Sequence, residues 1–301
     1  MIVLVMFLIL VALICLNVPI AVGLAVAAIF GLGVTEGVDS IVTLALDMYD
    51  GSTKFSLIAI PMFVLAGAIM NAGGITDKLI NFVNAIIGFV RGGLAMVNIG
   101  VSLFFAEISG SAVADVAALG SVLIPQMKKR GYSAPFAAAV TSSSASLAII
   151  IPPSIPMILY ATSAGTSVEQ LFVAGIIPGL LGAFGLMGMA YYFARRYNLP
   201  KEDAFEFRRL WTTLVDALPA FTLPVVILGG IFGGFVTATE AAGLAVVAAL
   251  VVSAWYSKMD FGHLKRAMID GGVQTAVVML LVAASVVMGG FLTRAQIPQD
   301  F

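Results

Sequence analysis

Two apolar runs in the first half of the chain, residues 102–108 and 112–125, meet at Ser109-Gly110-Ser111. Each is shorter than the ~20 helical residues that a ~30 Å hydrocarbon core requires. A Gly/Ser turn between two half-length apolar helices reads as a re-entrant hairpin. Hydrocarbon cannot satisfy the backbone groups freed at such a tip, so the tip must be enclosed by protein or line a wet cavity. A second interruption follows within an apolar run of crossing length. There Thr141-Ser142-Ser143-Ser144 leads into Pro152-Pro153-Ser154-Ile155-Pro156, and proline removes hydrogen bonds from the helical ladder. Broken helices of this kind hold ions and substrates near the midplane of secondary transporters.

The rest of the chain fits a membrane setting. Hydrophobic residues make up 61% and charged residues 10%, against about 25% charged in a soluble domain. The expected class is an all-α polytopic membrane protein surrounded by lipid bilayer, with no nucleic acid as partner. Strands alternating at period 2 are absent, which argues against a β-barrel. The single cysteine, Cys15, and the single histidine, His263, exclude an internal disulfide and a Cys- or multi-His metal site. The N-terminus is apolar from Ile2 and meets no cation before Lys54. It reads as a first membrane helix rather than a cleaved leader.

In chain order, residues 2–16 and 19–34 are two helices divided at Asn17 and Pro19. An acidic loop spans 35–54, with Glu36, Asp39, Asp47 and Asp50 against Lys54. Residues 55–70 cross again. Residues 76–91 are amphipathic, with Leu79, Ile80, Val83, Ile86, Ile87 and Val90 at helical spacing, as in an interfacial arm. The hairpin (92–127), the broken helix (133–165) and a helix over 169–193 follow. Gly179, Gly182, Gly185 and Gly188 on that helix suit close helix packing. Residues 194–217 read as a polar cytoplasmic linker. Crossings at 219–235, 241–255 and 272–292 complete the chain, with a polar, basic segment between the last two that holds His263.

Basic clusters at Lys128-Lys129-Arg130, within the linker, and at Lys258, Lys265 and Arg266 fall on one face when the crossings are counted. That face is then cytoplasmic. The acidic loop and the N-terminus fall on the other side.

An internal echo appears at an offset of about 220 residues. The run from Gly23 to Ala28 returns from Gly243 to Ala249, and Ala66 through Ile75 resembles Met288 through Ile297. The copies cross in opposite senses, as inverted-topology repeats do. Residues 1–193 are read as one repeat, and 218–301 as the scaffold start of a second, incomplete one.

These residues resemble a known family, the large membrane (M) subunit of TRAP transporters, the tripartite ATP-independent periplasmic type. The resemblance rests on FSLIAIPMFVLAG at 55–67 and GGLAMVNI at 92–99. It continues with ISGSAVADVAALGSVLIPQM at 108–127, GYSAPFAAAVTSSSASLAIIIPPSIPMILYA at 131–161 and LPVVILGGIFGGFVTATEAA at 223–242. Val236-Thr237-Ala238-Thr239-Glu240 departs from the Thr-Pro-Thr-Glu usual in the family. Family subunits are also longer, by a second hairpin and broken helix. The resemblance implies an elevator-type, Na⁺-coupled importer of organic acids, of the C4-dicarboxylate or sialic-acid type. It implies two partners, a small four-helix (Q type) membrane subunit and a periplasmic (P type) substrate-binding protein, and places the chain in the inner membrane of a bacterium or archaeon.

Physical chemistry assigns roles within that frame. Helix N-termini at the tip suit a carboxylate, while helix C-termini and unwound carbonyls suit Na⁺. The expected ion and substrate site comprises Ser109, Gly110, Ser111, Ala112 and Asp115 of the hairpin. From the broken helix it takes Thr141, Ser142, Ser143 and Ser144, together with Pro152, Pro153 and Ser154. Na⁺ is expected near Ser109, Ser111 and Ser143. Glu107 reads as an ion-pathway residue or a salt-bridge partner, and Glu240 as a helix cap. A stand-alone divalent-anion:sodium symporter would show similar features. An intramembrane enzyme would need a nucleophile–base or metal constellation, and a scaffold subunit would need no broken helices.

Overall fold

A computed structural model describes residues 2–35, 37, 40–201, 204–256 and 260–295, without the side chains of residues 40, 41, 43, 108 and 109. Glu36, Asp39, Lys258 and Ile297, named above, lie outside the described residues. The described residues form helices joined by turns, and no strand occurs among them beyond one isolated bridge, Arg91 with Lys201. Among the described residues, six helical segments are long and apolar enough to cross a membrane: Phe55–Ala72, Ala134–Ala164, Val168–Arg196, Phe207–Phe232, Ala238–Trp255 and Phe261–Arg294. An apolar α-helix satisfies its own backbone, which is why this composition takes this form in lipid.

The chain divides into two compact units. The first holds residues 1–57 and 273–301. Its helices are α1 (Ile2–Cys15), α2 (Ile20–Thr35), α3 (Ser40–Ser52) and the second part of α14 (Phe261–Arg294). The turn after α1 is made at Asn17, whose φ is 61°; asparagine tolerates this left-handed region better than most residues. Met6 of α1, Ala27, Ala28 and Leu32 of α2, Leu44 of α3 and Val287 and Phe291 of α14 form the core. Gly31 lets α2 close on its neighbours, since a Cβ there would meet Met6 Sδ at 2.6 Å. The region read as an acidic loop is largely the helix α3. Its Asp47 pairs with Arg294 at 2.6 Å.

The second unit, residues 58–272, holds α4 (Ala59–Ala72), α5 (Ile75–Ile87), α6 (Gly93–Ser109), α7 (Ala112–Lys129), α8 (Ala134–Ala145), α9 (Leu147–Ile150), α10 (Ile155–Ala164), α11 (Val168–Arg196), α12 (Phe207–Phe232) and α13 (Ala238–Trp255). Packing sorts these helices into two groups. In one, α13 lies between α4 and α12. Gly73 at the end of α4 admits Ser253 of α13, whose Oγ donates to Ile69 O at 3.5 Å. A capping box starts α13: Thr237 Oγ1 accepts from the Glu240 N–H at 3.3 Å, and the Glu240 carboxylate accepts from the Thr237 N–H at 2.8 Å. In the other group, α6 is surrounded by α5, α7, α8, α9 and α11.

Two further boundaries differ from the sequence reading. α12 begins at Phe207, inside the segment read as a linker. Leu210 and Leu214 follow at helical spacing and pack with Phe82, Val83 and Phe221, which carries the helix back toward the polar stretch. α14 begins at Phe261, so His263 occupies its first turn rather than a loop. There the His263 backbone N–H donates to Asp260 at 2.7 Å and holds that carboxyl below its usual range. The amphipathic stretch folds as α5, which buries Leu79, Ile80, Phe82 and Val83. Ile86 stays exposed.

Candidate functional site

α6 and α7, of 17 and 18 residues, meet in a turn at Gly110. α6 stops at Ser109 because Gly110 turns into the left-handed region (φ 58°, ψ 13°), which glycine enters without a Cβ penalty. The Gly110 N–H donates to Ala106 O at 3.2 Å. Ser111 is extended and caps α7, its Oγ accepting from the Ala114 N–H at 3.4 Å. Ala112 opens α7, and Asp115 is fully buried in its first turn, where the helix dipole favours negative charge. The Ser109 side chain lies outside the described residues.

The broken helix is formed as well. α9 ends at Ile150, residues 151–154 leave the helical path, and α10 resumes at Ile155. All of residues 151–155, Pro152 and Pro153 among them, are buried. Ser154 joins the two ends: its Oγ donates to Ile149 O at 2.7 Å and accepts from the Met157 N–H at 3.4 Å. α11 supports the break from behind. A Cβ on Gly175 would lie 2.3 Å from Ile150 O, and one on Gly179 would lie 2.5 Å from Ile151 Cγ1. Gly182 faces Leu147, whereas Gly185 and Gly188 have open space around them. Only the first half of the glycine stripe therefore admits a neighbour.

Bend and break are bonded to each other. The Ile155 N–H donates to Gly110 O at 3.2 Å, and a Cβ on Gly110 would meet Pro153 O at 2.7 Å. Four helix ends converge there. The carbonyl ends of α6 and α9 present partial negative charge, and the amide ends of α7 and α10 partial positive charge. Such a junction can take a cation on one pair and a carboxylate on the other.

The Thr141–Ser144 stretch takes different partners. Thr141 and Ser144 are buried against α6. Asn98 Nδ2 donates to Thr141 Oγ1 at 2.7 Å, Ser144 Oγ donates to Asn98 Oδ1 at 3.3 Å, and Ser102 Oγ donates to Ser144 Oγ at 2.9 Å. Ser142 and Ser143 are exposed. Ser143 lines an apolar cavity of about 320 Å³ with Phe136, Met189 and Phe193. Nine residues separate Ser143 from Pro152, roughly 13 Å along a helix axis. The tip thus meets Pro153, Ser154 and Ile155, while Thr141 and Ser144 bind α8 to α6.

Asn98 and Ser102 were not singled out in the sequence. They lie four residues apart on α6, whose other polar residues, Glu107 and Ser109, stand at its end, and so share a face, opposite Thr141 and Ser144 at i, i+3. That matched spacing was the available signal. Interhelical hydrogen bonds in membranes average about 0.6 kcal/mol each, and Asn98 makes two to hydroxyls. Asn98→Ala should therefore lower stability by about 1–2 kcal/mol, the upper end reflecting the lost packing. Equilibrium unfolding in detergent reads this directly, and an unchanged midpoint would count against the network. Among the described residues no group of three His, Cys, Asp or Glu is placed to hold a metal. A cation here would rely on hydroxyl and carbonyl oxygens.

The family described as "Tripartite ATP-independent periplasmic transporter, DctM component" matches residues 7–301. Similar proteins include the C4-dicarboxylate TRAP transporter large permease protein DctM of Pseudomonas aeruginosa, 39% identical over 87% of this chain and 62% of its own length. The 2,3-diketo-L-gulonate TRAP transporter large permease protein YiaN of Escherichia coli is 38% identical over 94% of this chain and 68% of its own. The sialic acid TRAP transporter large permease protein SiaM of Vibrio cholerae is 37% identical over 85% and 60%. The chain thus spans between 60% and 68% of the length of these relatives. With a family match over nearly its whole length and six helices of crossing length, this chain belongs to the DctM-component family of tripartite ATP-independent periplasmic transporters: a multi-pass inner-membrane transport component, not an enzyme.

Proposed function

We propose that this chain forms a Na⁺-coupled organic-acid site of a TRAP permease, built where the Gly110 bend meets the Pro152–Ser154 break. The observation that carries the reading is the bond between the Ile155 N–H and Gly110 O, with Pro153 O close behind. It gathers the ends of two interrupted helix pairs at one buried point, where lipid could not satisfy them. Na⁺ would take oxygens from Ser111, Ser154 and the carbonyls freed at α6 and α9. A substrate carboxylate would face the amide ends of α7 and α10. Of the serines expected to hold Na⁺, Ser111 is the better placed, since Ser143 faces an apolar cavity.

The substrate is an organic acid, in keeping with the acids named for the relatives. A periplasmic binding protein delivers it, and a small four-helix subunit completes the membrane part. The packing also supports reading an inverted repeat. In the first unit, α2 packs with α1 and α14; in the second, α13 packs with α12 and α4. An offset of about 220 residues carries α1 and α2 onto α12 and α13, and carries α4 onto α14. The first repeat then ends with α11 and its inverted partner begins with α12, the segment between them joining the two on the cytoplasmic side. An elevator motion of the hairpin and broken helix against the scaffold helices accounts for transport.

The test is uptake of a labelled C4-dicarboxylate and of sialic acid into proteoliposomes carrying the permease with its small subunit. Uptake is expected only with the binding protein present and an inward Na⁺ gradient. Ser111→Leu should abolish it, while membrane insertion stays intact. Equal uptake with K⁺ in place of Na⁺ would overturn the coupling. Uptake without a binding protein would favour a stand-alone symporter.

A further inference from the structure

A second concavity, of about 430 Å³, lies in the second unit beside the C-terminal end of α11. Phe89, Val90, Arg91, Tyr191, Arg195 and Lys201 line it. Three of the six are cations, and the backbone fixes their spacing. Arg91 and Lys201 are joined by the antiparallel bridge, and the Gly92 N–H donates to Pro200 O at 3.2 Å. Gly92 has φ +75°, and a Cβ on it would come within 2.3 Å of Ala194 Cβ. The turn before α6 is therefore pressed onto α11. The Arg195 guanidinium lies over the Tyr191 ring, 5.4 Å from its centre.

Among the described residues, the charges of the pocket are not balanced by carboxylates. Arg91 reaches the Asn198 side-chain oxygen at 3.5 Å. Among the described residues no carboxylate stands within ion-pair distance of Arg91, Arg195 or Lys201. Three cations held close together repel one another until an anion joins them. The position also matters. α11 is of crossing length and carries Arg195 in its last turn, so the pocket sits where a bilayer meets water. Tyrosines prefer that depth. Basic pockets between membrane helices at this level suit anionic lipid headgroups. A soluble anion would use the cations alone, whereas Phe89, Val90 and Tyr191 add a wall for glycerol and the first methylenes of acyl chains.

We propose that this pocket binds the phosphodiester headgroup of an anionic phospholipid, with Arg91, Arg195 and Lys201 on the phosphate. The site is separate from the junction at Gly110. A bound lipid would tie the turn between α5 and α6 to the end of α11, and so brace the base of the hairpin.

Native mass spectrometry of the 301-residue chain released from detergent tests this. The probes are palmitoyl-oleoyl phosphatidylglycerol and phosphatidylcholine with the same acyl chains. Phosphatidylglycerol should be retained about tenfold more strongly, and the combined Arg91→Gln, Arg195→Gln, Lys201→Gln variant should lose that preference. A control with Lys128→Gln, Lys129→Gln and Lys265→Gln removes equal charge elsewhere and should keep it. Arg195→Gln alone, expected to lose about fivefold, serves should the combined variant misfold. Loss of preference in both combined variants would reduce the effect to general basic charge. No preference in the wild type would overturn the proposal. Displacement of the lipid by inorganic phosphate as effectively as by phosphatidylglycerol would assign the site to a soluble anion instead.

Discussion

Gly110→Val is expected to remove Na⁺ protection from the chain and to lower its stability by about 2–4 kcal/mol. Two costs add. A valine at φ +58° enters the left-handed region against its Cβ, at about 1–2 kcal/mol. Its Cβ would also stand 2.7 Å from Pro153 O and 3.4 Å from Ile155 N. Both neighbours are backbone atoms of a buried segment, so they cannot swing aside as a flexible side chain would. Relief requires separating the bend from the break, which breaks the bond from Ile155 to Gly110 and disperses the helix ends. Insertion should persist, because α6 and α7 keep their apolar sequences. The comparison is the unfolding midpoint in Na⁺ against K⁺. A Gly110→Val chain that keeps the wild-type midpoint and Na⁺ shift would show that the junction is not the ion site. Gly110→Ala carries the same backbone cost with a smaller side chain, and should fall between the two.

Gly175→Val should be the second most damaging change, for a different reason. Gly175 sits in the helical region of α11, where replacing glycine by alanine ordinarily gains about 1 kcal/mol. The sign of the measured change therefore isolates packing. A Cβ there would lie 2.3 Å from Ile150 O and 2.6 Å from Met157 Cε. Methionine can move, but the carbonyl at the end of α9 cannot without shifting the break. A net loss of about 2–3 kcal/mol is expected, within the range for overpacking a buried contact. Gly185→Val is the matched control: nothing lies within 4 Å of its Cβ position, so that variant should be neutral or slightly stabilised. Equal effects at the two positions would mean that α11 does not support the break.

Local features of the site were legible in the sequence, and pairings across distance were not. Gly110 between Ser109 and Ser111 marked the bend, and the double proline marked the break, because both act on the backbone where they stand. The Thr141–Ser144 run was visible as polar residues in an apolar helix, but a hydroxyl does not declare its partner. Thr141 and Ser144 turned to Asn98 and Ser102, more than forty positions earlier. Gly175 lies one turn before the regular stripe at Gly179 and is not marked by it. Its importance depends on Ile150 O, which no pattern on α11 encodes. The early start of α12 was hidden by the arginines and lysine between 194 and 209. Those charges made the stretch look like a solvated connection, although Leu210 and Leu214 were already at core spacing.

The core of the first unit has a consequence for biogenesis. Ala28 and Leu32 of α2 share that core with Val287 and Phe291 of α14, roughly 250 residues later in the chain. At about 5–20 residues/s, translation needs on the order of 10–50 s to supply them. Until then α1 and α2 lack the α14 side chains that complete their core. Helices α1 and α2 are thus made well before the α14 residues that complete their core, and their final packing waits for that helix.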